Sequence, residues 1–576
     1  MIGYSPERAL PQAAQRNFLL LSPLGGLFYF DKQEAKTLSK SKKRRRAPQV
    51  KGYSEAGASL DRRSMRGFTP KSGSPNEDIN RNNYTLRQRA RILYMSSTVA
   101  TAAINTNRTK IIGTGLVLNC AIDRELLGMS AEAAKAWQRK TEAEFRLWAG
   151  KGRNCDAIGL NDFAGLQQLG LKSWLLSGDV FPVLKHYKRT AANPYSLRVH
   201  LVEADRVSTP SEYGGGYTAS GFCEGVVPEG KSGAGHKIYD GVEVDKNGMV
   251  VAYYIRNTYP FETTAGETKW TRVLAYGERT GLPNILHVMD SERPDQYRGV
   301  PYLAQVIEPL LQLRRYTESE LMAALVQSFF TAWIETETDQ SKIPFNVAGP
   351  VAPGESGESA INIETTDEEE EEEETDYQIG PGTVTHLAPG EKVQFGNPNI
   401  PTTGFDSFVK TFCRLIGAAL ELPYDVLIKE FNSSYSASRG ALLEAWEAIK
   451  MRRKWYVNDF CQPIYEVWLT EAVALGRIKA PGFFDDPLIR EAWCGANWIG
   501  PVQGSLDPKK EAEANNTLIS NAIKTHSQVT RETSGGDWEA NVEQLKRENE
   551  LLREARAGAK VAAPKPGEGT GDGDGD

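Results

Sequence analysis

The spacing with the most explicit chemical meaning is Gly225-Val226-Val227-Pro228-Glu229-Gly230-Lys231-Ser232, which fits the phosphate-loop pattern G-x-x-x-x-G-K-[ST]. That chemistry needs a buried strand before the loop and a helix after it, so that backbone N–H groups converge on phosphate oxygens. Here Gly214-Gly215-Gly216 to Glu224 read as loop, and Gly233-Ala234-Gly235 stand where the helix should begin, so the segment is assigned to a surface loop. The histidines His186, His200, His236, His287, His386 and His526 are scattered, with no zinc-protease or nucleophile-elbow pattern. Cys120, Cys155, Cys223, Cys413, Cys461 and Cys494 form no CxxC or Cys/His ligand spacing and fit a reducing, intracellular setting. No catalytic, cofactor-binding or metal-ligating set is expected, and the chain is read as not an enzyme.

Charge is segregated rather than abundant. The 68 basic and 74 acidic side chains sum to −6, which argues against a coat of non-specific nucleic-acid affinity. Yet residues 32–51 hold nine Lys/Arg against the single acid Glu34, and Asp367, Glu368, Glu369, Glu370, Glu371, Glu372, Glu373 and Glu374 run consecutively. The first block, followed by Ser/Gly/Pro/Asn-rich sequence to about Asn83, reads as a flexible basic arm over 1–83; the second reads as a solvated loop. The apolar run Phe18–Phe30 is interrupted by Pro23, Gly25 and Gly26 and falls short of the ~20 residues of a membrane span, so no membrane association or targeting segment is expected.

The periodicity predicts α+β architecture, helices first and a sheet after. Helices are expected from Leu86 to Ile111, over about Ala131–Trp148, and over Asp162–Ser177 with Asn161 or Asp162 as cap. The core of the second and third is expected to hold Trp137, Trp148 and Trp174. Strands are expected at Val180–His186, Ser196–Val202 and Val250–Arg256, with a turn at Asp245-Lys246-Asn247-Gly248. A long helix follows Arg298-Gly299-Val300-Pro301 and runs to about Ile334, bent near Pro309, a rod of roughly 45 Å needing partners along its length. Residues 336–400 are Pro/Gly-punctuated and read as a small inserted lobe, with a β-like run at Thr383–Leu387. Helix is expected again over Phe405–Leu422, pauses through Ile428–Arg439, and resumes from Gly440 to Leu475 with Leu442, Leu443, Trp446, Ile449, Trp455, Phe460, Ile464 and Trp468 as core. A last helix, Trp538–Arg556, precedes a Gly/Asp-rich tail.

In this order the segments resemble the lambda-type family of tailed-bacteriophage portal proteins, over about Arg81 to Trp538. The resemblance is carried by Arg81-Asn82-Asn83, Thr98–Asn105 and Ile112–Gly115, by Trp174 with Ser177-Gly178-Asp179-Val180-Phe181, by Val202–Val207 with Thr209-Pro210, and by Gly241–Asp245. Further on it rests on Ile285-Leu286-His287, Tyr297–Pro301, Tyr316–Ala324, Ser433–Arg439 leading into Ala441–Ala445, Asp507–Ala512 and Gly536-Asp537-Trp538. Each piece is weak; their shared order over more than four hundred residues is specific.

The resemblance implies a homo-oligomeric ring, usually of twelve, at one capsid vertex of the virion, assembled in the host cytoplasm. Through it double-stranded DNA is packaged and ejected, and on it the terminase large subunit, the head-completion proteins and the major capsid and scaffold proteins dock. Laid onto this chain, 84–297 would be an α+β wing, 298–334 a stem helix, 335–401 a clip carrying the acidic run, and 402–427 a second stem helix. Residues 428–440 would be a tunnel loop, 441–535 the wing-to-crown helix and crown, and 536–576 a terminal helix and tail. DNA that must slide tolerates few tight phosphate contacts, so Lys429 and Arg439, bracketing the small polar Asn432, Ser433, Ser434 and Ser436, are the DNA-proximal candidates. Twelve acidic runs at one level would sum to roughly a hundred negative charges, facing a basic motor or connector protein, splayed outward, or lining a lumen that repels phosphate. Two other classes remain open: a nucleotide-hydrolysing packaging protein, if the Gly225–Ser232 spacing were real, and a capsid or scaffold protein without a channel.

Overall fold

The computed structural model describes residues 58, 62–214, 224–262, 266–328, 332–336, 391–395, 404–430, 435–504 and 508–561. Two units divide the chain at Ser72 and Gly73; the described part of the first holds one 3-10 turn, Arg63–Met65. The second unit is the α+β body.

Its helical layer begins earlier than the periodicity predicts. A π-helical turn at Asn76–Asn80 runs directly into α1 (Arg81–Ser96), and Asn76, Asn80 and Asn83 are buried. Polar side chains such as these read as linker in the sequence; Asn80 donates to Asn76 one turn away at 3.2 Å, while the partner of Asn83 lies 216 residues along the chain. The expected continuous helix to Ile111 is broken at Ser97, whose hydroxyl accepts the N–H of Ala100 and starts α2 (Thr98–Ile111). Strand β1 (Val117–Cys120) leads to α3 (Ala131–Ala149), capped by Ser130; a single turn, α4 (Gly152–Cys155), precedes α5 (Phe163–Ser177), capped by Asp162. Trp137, Trp148 and Trp174 are buried as expected, with Phe145 edge-on to Phe163, Tyr465 and Trp468.

Two antiparallel sheets follow. Strands β2 (Asp179–His186), β3 (Leu197–Glu203) and β9 (Val288–Met289) pair in the order β3-β2-β9. Strands β4 (Glu224–Val226), β5 (Lys237–Tyr239), β6 (Val242–Val244), β7 (Val250–Arg256) and β8 (Trp270–Leu274) form a meander in chain order. The β6–β7 connection uses Asp245 to Gly248 as predicted, with Asp245 accepting the N–H groups of Asn247 and Met249 at 2.8 Å and Gly248 at φ 87°. Phe181, Val202, Val242, Val244, Tyr253 and Ile285 fill a small core shared by the two sheets.

Helix α6 (Ile307–Ser328) has 22 residues, about 33 Å of rise, and ends short of the predicted Ile334, which lies instead in β10 (Ala332–Thr336). Pro309 falls in its first turn, where a missing N–H costs the ladder nothing. β10 pairs antiparallel with β11 (Glu391–Phe395), which returns the chain to α7 (Phe405–Ala419); Tyr316 stacks on Phe405 at 5.6 Å. The run Asp367–Glu374 and the predicted strand Thr383–Leu387 lie outside the described residues, as do the arm 1–57, the apolar run Phe18–Phe30 and the tail 562–576. No helix among the described residues is long and apolar enough to cross a membrane.

The helix expected through Leu422 stops at Ala419, because the chain turns back on itself: Leu422 N–H donates to Gly417 O at 2.8 Å, and Glu421 takes φ 52°. Pro423 then starts α8 (Tyr424–Ile428). The helix predicted from Gly440 begins at Tyr435, so α9 (Tyr435–Tyr456) already contains Ser436 and Arg439. Through a π-turn at Val457–Cys461 it continues as α10 (Gln462–Ala474); Ile449, Phe460, Ile464 and Trp468 are buried in the main core, while Leu443 is exposed. Helix α11 (Pro487–Cys494) and β12 (Ala496–Ile499), which pairs with β1, close the body. Helices α12 (Pro508–Ser520), α13 (His526–Ser534) and α14 (Trp538–Val561) form a terminal segment without a buried residue among those described. The five described cysteines are free and buried.

Candidate functional site

The phosphate-loop spacing folds as a β-hairpin. Gly225 pairs with Ile238 across β4 and β5, and Gly230, Gly233 and Gly235 take φ of 83°, 86° and 81° in the turn, so these residues open no helix. Below the turn lies an acid: Glu243, fully buried, is bound by Arg272 at 2.7 and 2.8 Å, by Tyr254 OH at 3.0 Å and by His236 Nδ1 at 2.8 Å. Burial would raise its pKa, but Arg272 and the His236 hydrogen bond outweigh it and leave the carboxyl ionised more readily than usual. A Cβ on Gly233 would meet Glu243 Oε1 at 2.3 Å, so the turn closes directly over this paired acid and leaves no cradle for a phosphate there.

Charged side chains do converge elsewhere, where α1, β2, the β5–β6 turn and the segment before α6 meet. Asp179, at the first position of β2, is wholly buried; it accepts Arg298 Nε at 2.6 Å and Nη2 at 3.3 Å, and Gly299 N–H at 3.2 Å. Arg298 spends its remaining donors on Asp240 Oδ2 at 2.7 Å, Asp240 O, Val207 O at 3.0 Å and Ala204 O at 2.9 Å, with its plane over Phe181. Arg87 donates to Ser177 O at 3.1 Å and to Asp240 at 3.4 Å and lies 3.8 Å from Asp205; Arg91 pairs with Asp205 and donates to Ser177 Oγ at 2.9 Å. Three guanidiniums thus meet three carboxylates in a nearly dry node. Burial pushes the Asp179 carboxyl up, but Arg298 and Arg87 overwhelm that and hold it far below the usual range. His287, stacked on Phe181 at 4.3 Å, is pushed down by burial against the pull of Asp179, so it sits neutral at pH 7.

Backbone geometry makes the node possible. Asp240 (φ 47°) and Gly241 (φ 85°) form a two-residue turn with both φ positive, which aims the Asp240 carboxylate inward. Gly178 (φ 86°) packs directly on Gly299: a Cβ on Gly178 would meet Gly299 O at 2.4 Å. Asn83 clamps the same glycine, donating to Gly299 O at 2.6 Å.

A second joint ties the helices together. Arg452 of α9 donates to Asn107 of α2 at 3.3 Å, pairs with Glu421 and lies over the Tyr302 ring at 4.9 Å; Tyr302 OH donates to Leu420 O. Arg453 donates to Ile111 O at 2.9 Å and Lys110 O at 2.6 Å, satisfying the C-terminal carbonyls of α2. A cavity of about 220 Å³ beside this joint is lined by Trp174, Asp290, Tyr302, Glu421 and Arg452 among others. Burial raises Asp290, and burial with the charge of Asp290 pushes Asp459 up to about 6.

The residues singled out as DNA-proximal bracket a short gap. Lys429 closes α8 in the left-handed conformation (φ 63°), and Arg439 lies in the second turn of α9, 3.8 Å from Glu511 of α12. Asn432, Ser433 and Ser434 lie outside the described residues, and Ser436 is in the first turn of α9. Glu430 anchors the near side, accepting Tyr424 OH at 2.7 Å, and Ser438 reaches Asp425 at 3.5 Å on the far side. The structure thus brings α8, α9 and α12 to one place, and it puts the Asp179 node in a different one. The sequence reading missed both the node and the Arg452 joint, although Asp179, Asp205 and Arg298 each stand inside a quoted motif, and Asp179 and Arg298 each adjoin a glycine.

Residues 61–453 match the family described as phage portal protein, lambda family. The chain is 24% identical over 498 residues to the portal protein of Escherichia phage N15, covering 85% of this chain and 88% of that one. It is 24% identical over 505 residues to portal protein B of Escherichia phage lambda, covering 87% and 89%. A probable portal protein of Halomonas phage phiHAP-1 matches at 23% over 465 residues, covering 80% and 79%. Among solved structures, a chain of the neck of a native GTA particle aligns at 13% identity and a TM-score of 0.38, covering 78% of this chain and 92% of that one. The family match takes in α1, the charged node, both sheets, α6 to α8 and α9 to Arg453, and with it the chain belongs to the lambda family of phage portal proteins.

Proposed function

We propose that the chain is one subunit of a ring, of about twelve copies, that forms the channel for DNA entry and exit at one capsid vertex and carries no catalytic activity of its own. The observation that carries this reading is the return of the chain from α6 through the β10–β11 pair to α7, which brackets residues 337–390 between two packed helices. Such a unit can stand beside copies of itself with the bracketed lobe at one end. Among the described residues Leu321 and Met322 on α6, Leu415 on α7 and Leu443 on α9 are exposed, and lateral neighbours would cover them. In this ring 84–297 serves as wing, α6 and α7 as stem, 335–401 as clip and 428–440 as tunnel loop.

The clip, with the acids Asp367 to Glu374, is the docking surface for the terminase large subunit during packaging and for head-completion proteins afterwards. Capsid and scaffold proteins would contact the wing. Lys429 and Arg439 meet DNA lightly, because a channel that grips phosphates cannot let them move. The deciding experiment is negative-stain imaging of the purified protein: rings with an axial hole are expected, and a stable monomer or a closed particle would overturn the reading. With rings in hand, the double substitution Lys429→Ala, Arg439→Ala is expected to lower DNA packaging or retention without preventing assembly. Glu511→Ala, which removes one partner of Arg439, separates loss of that contact from loss of charge at the channel.

A further inference from the structure

Two apolar tips stand by opposite ends of α3, and each is fixed by its own backbone. Past the C-terminal end, the buried Asp156 carboxylate accepts the N–H groups of Ile158, Leu160 and Asn161 at 3.0 Å each, and Gly159 turns the chain at φ 82°. The loop so held presents Ile158 (64% exposed) and Leu160 (79%) to solvent. It lies against α4, where a Cβ on Gly152 would meet Leu160 C at 3.0 Å, so the exposed cations Lys151 and Arg153 flank it. Neither cation has an ion-pair partner among the described residues, and the remaining acid of the segment, Asp162, caps α5. The second tip lies by the first half of α3, where Trp137 donates to Lys479 O at 2.8 Å and packs on Trp493 at 4.8 Å. There Phe483 is buried, Phe484 is 63% exposed, and Leu488, whose N–H donates to Asp486 at 2.8 Å, is 59% exposed. Asp485, Asp486 and Glu491 are exposed beside them, and the one cation of 483–491, Arg490, lies over the Phe483 ring at 5.7 Å. Asn154 beside the first tip donates to Leu147 O, ten residues or about 15 Å of helix from Trp137, so one copy cannot bring its own two tips together.

We propose that the Ile158–Leu160 tip of one subunit packs on the Phe484–Leu488 tip of the next, a head-to-tail contact between copies of this chain. Charge selects this occupant. A tip meeting its own counterpart would set Lys151 and Arg153 against the same cations, or Asp485 and Asp486 against the same acids, whereas the two unlike tips bring cations to acids. A nucleic acid fits the first tip poorly, because a phosphate backbone offers Ile158 and Leu160 nothing apolar to bury against. Two different surfaces that complement each other are what closing a ring by rotation requires. Both loops are already fixed, so little conformational freedom is lost on docking. Two aliphatic side chains against a phenyl ring and a leucine make a small contact, which adds to a ring held elsewhere as well. The inference thus rests on the ring reading.

Full-length protein carrying Leu160→Cys and Leu488→Cys together, first shown by sedimentation to be assembled, is treated with a short bifunctional maleimide; each substitution alone is the control. The five described native cysteines are buried, so the introduced thiols react selectively. The double variant is expected to give a ladder of covalent species beyond the dimer, roughly tenfold or more faster than either single variant. No ladder in assembled material, or single variants that link as fast as the double, would overturn the contact while leaving the ring intact. Should the double variant not assemble, charge reversal in the natural-cysteine chain decides. Arg153→Glu is expected to weaken assembly, most at low salt, and Asp485→Arg added to it to restore assembly. An Arg153→Glu chain that assembles like the natural one, or no restoration by Asp485→Arg, would overturn the contact. Failure of the natural chain itself to assemble would instead strike at the ring reading, and with it the proposed contact.

Discussion

The charged node around Asp179 and the terminal helices α12 to α14 are built on opposite terms. The node spends every donor of Arg298 on partners within the chain, at positions up to 119 residues away, and leaves only Arg91 partly open to water. The terminal helices bury nothing among their described residues and touch the body through exposed ion pairs. The first is complete in one copy, so its loss is a folding defect. The second buries little within its own chain, so its loss should barely move the unfolding of a single copy.

The sharpest way to break that contrast is Arg298→Met, which leaves Asp179 and Asp240 buried beside fewer cations. Destabilisation by about 3–5 kcal/mol is expected in denaturant unfolding; a change below about 1 kcal/mol would mean that the node is solvated after all. Gly178→Ala should cost at least about 2 kcal/mol, since the left-handed conformation and the contact with Gly299 both oppose a Cβ.

Asp459 gives a pH test. Its folded pKa of about 6 lies above the ordinary value, so the native state holds a proton that the unfolded chain releases, and stability falls as pH rises from about 4 to 6. Asp459→Asn should therefore stabilise by about 1 kcal/mol above pH 6, allowing for partial exposure, and leave stability below pH 4 unchanged. At the small end, Lys135→Ala should change global stability by less than about 0.5 kcal/mol. It should nonetheless speed amide exchange in α14, more so at low salt.

What the sequence disclosed follows the range of the forces involved. The caps Ser130 and Asp162 act within three residues, and the helices they start were read to within a residue or two. The tryptophans of α3 and α5 announced the core because an aromatic side chain on an apolar face has few other places to go. The start of α1 was hidden because Asn76, Asn80 and Asn83 are polar yet buried, and Asn83 is held by distant backbone, Gly299 O. Helix α9 begins at Tyr435 rather than Gly440 because the serines of its first turn, Ser436 and Ser438, give weak local propensity and tertiary contacts such as Ser438 to Asp425 decide it. The node escaped for a related reason: a charged residue read alone looks solvated, and only the fold pairs Arg87 with an aspartate 153 positions away.

Balance within that node constrains how such a chain can drift. With guanidiniums and carboxylates matched and hidden from water, no member can be lost alone without stranding a counterion in the interior. Change there must come as compensated pairs, an Arg298 exchanged for an aliphatic side chain together with Asp179, or not at all. Correlated substitution at these positions, rather than invariance at any one of them, is the mark this arrangement should leave on diverging lineages.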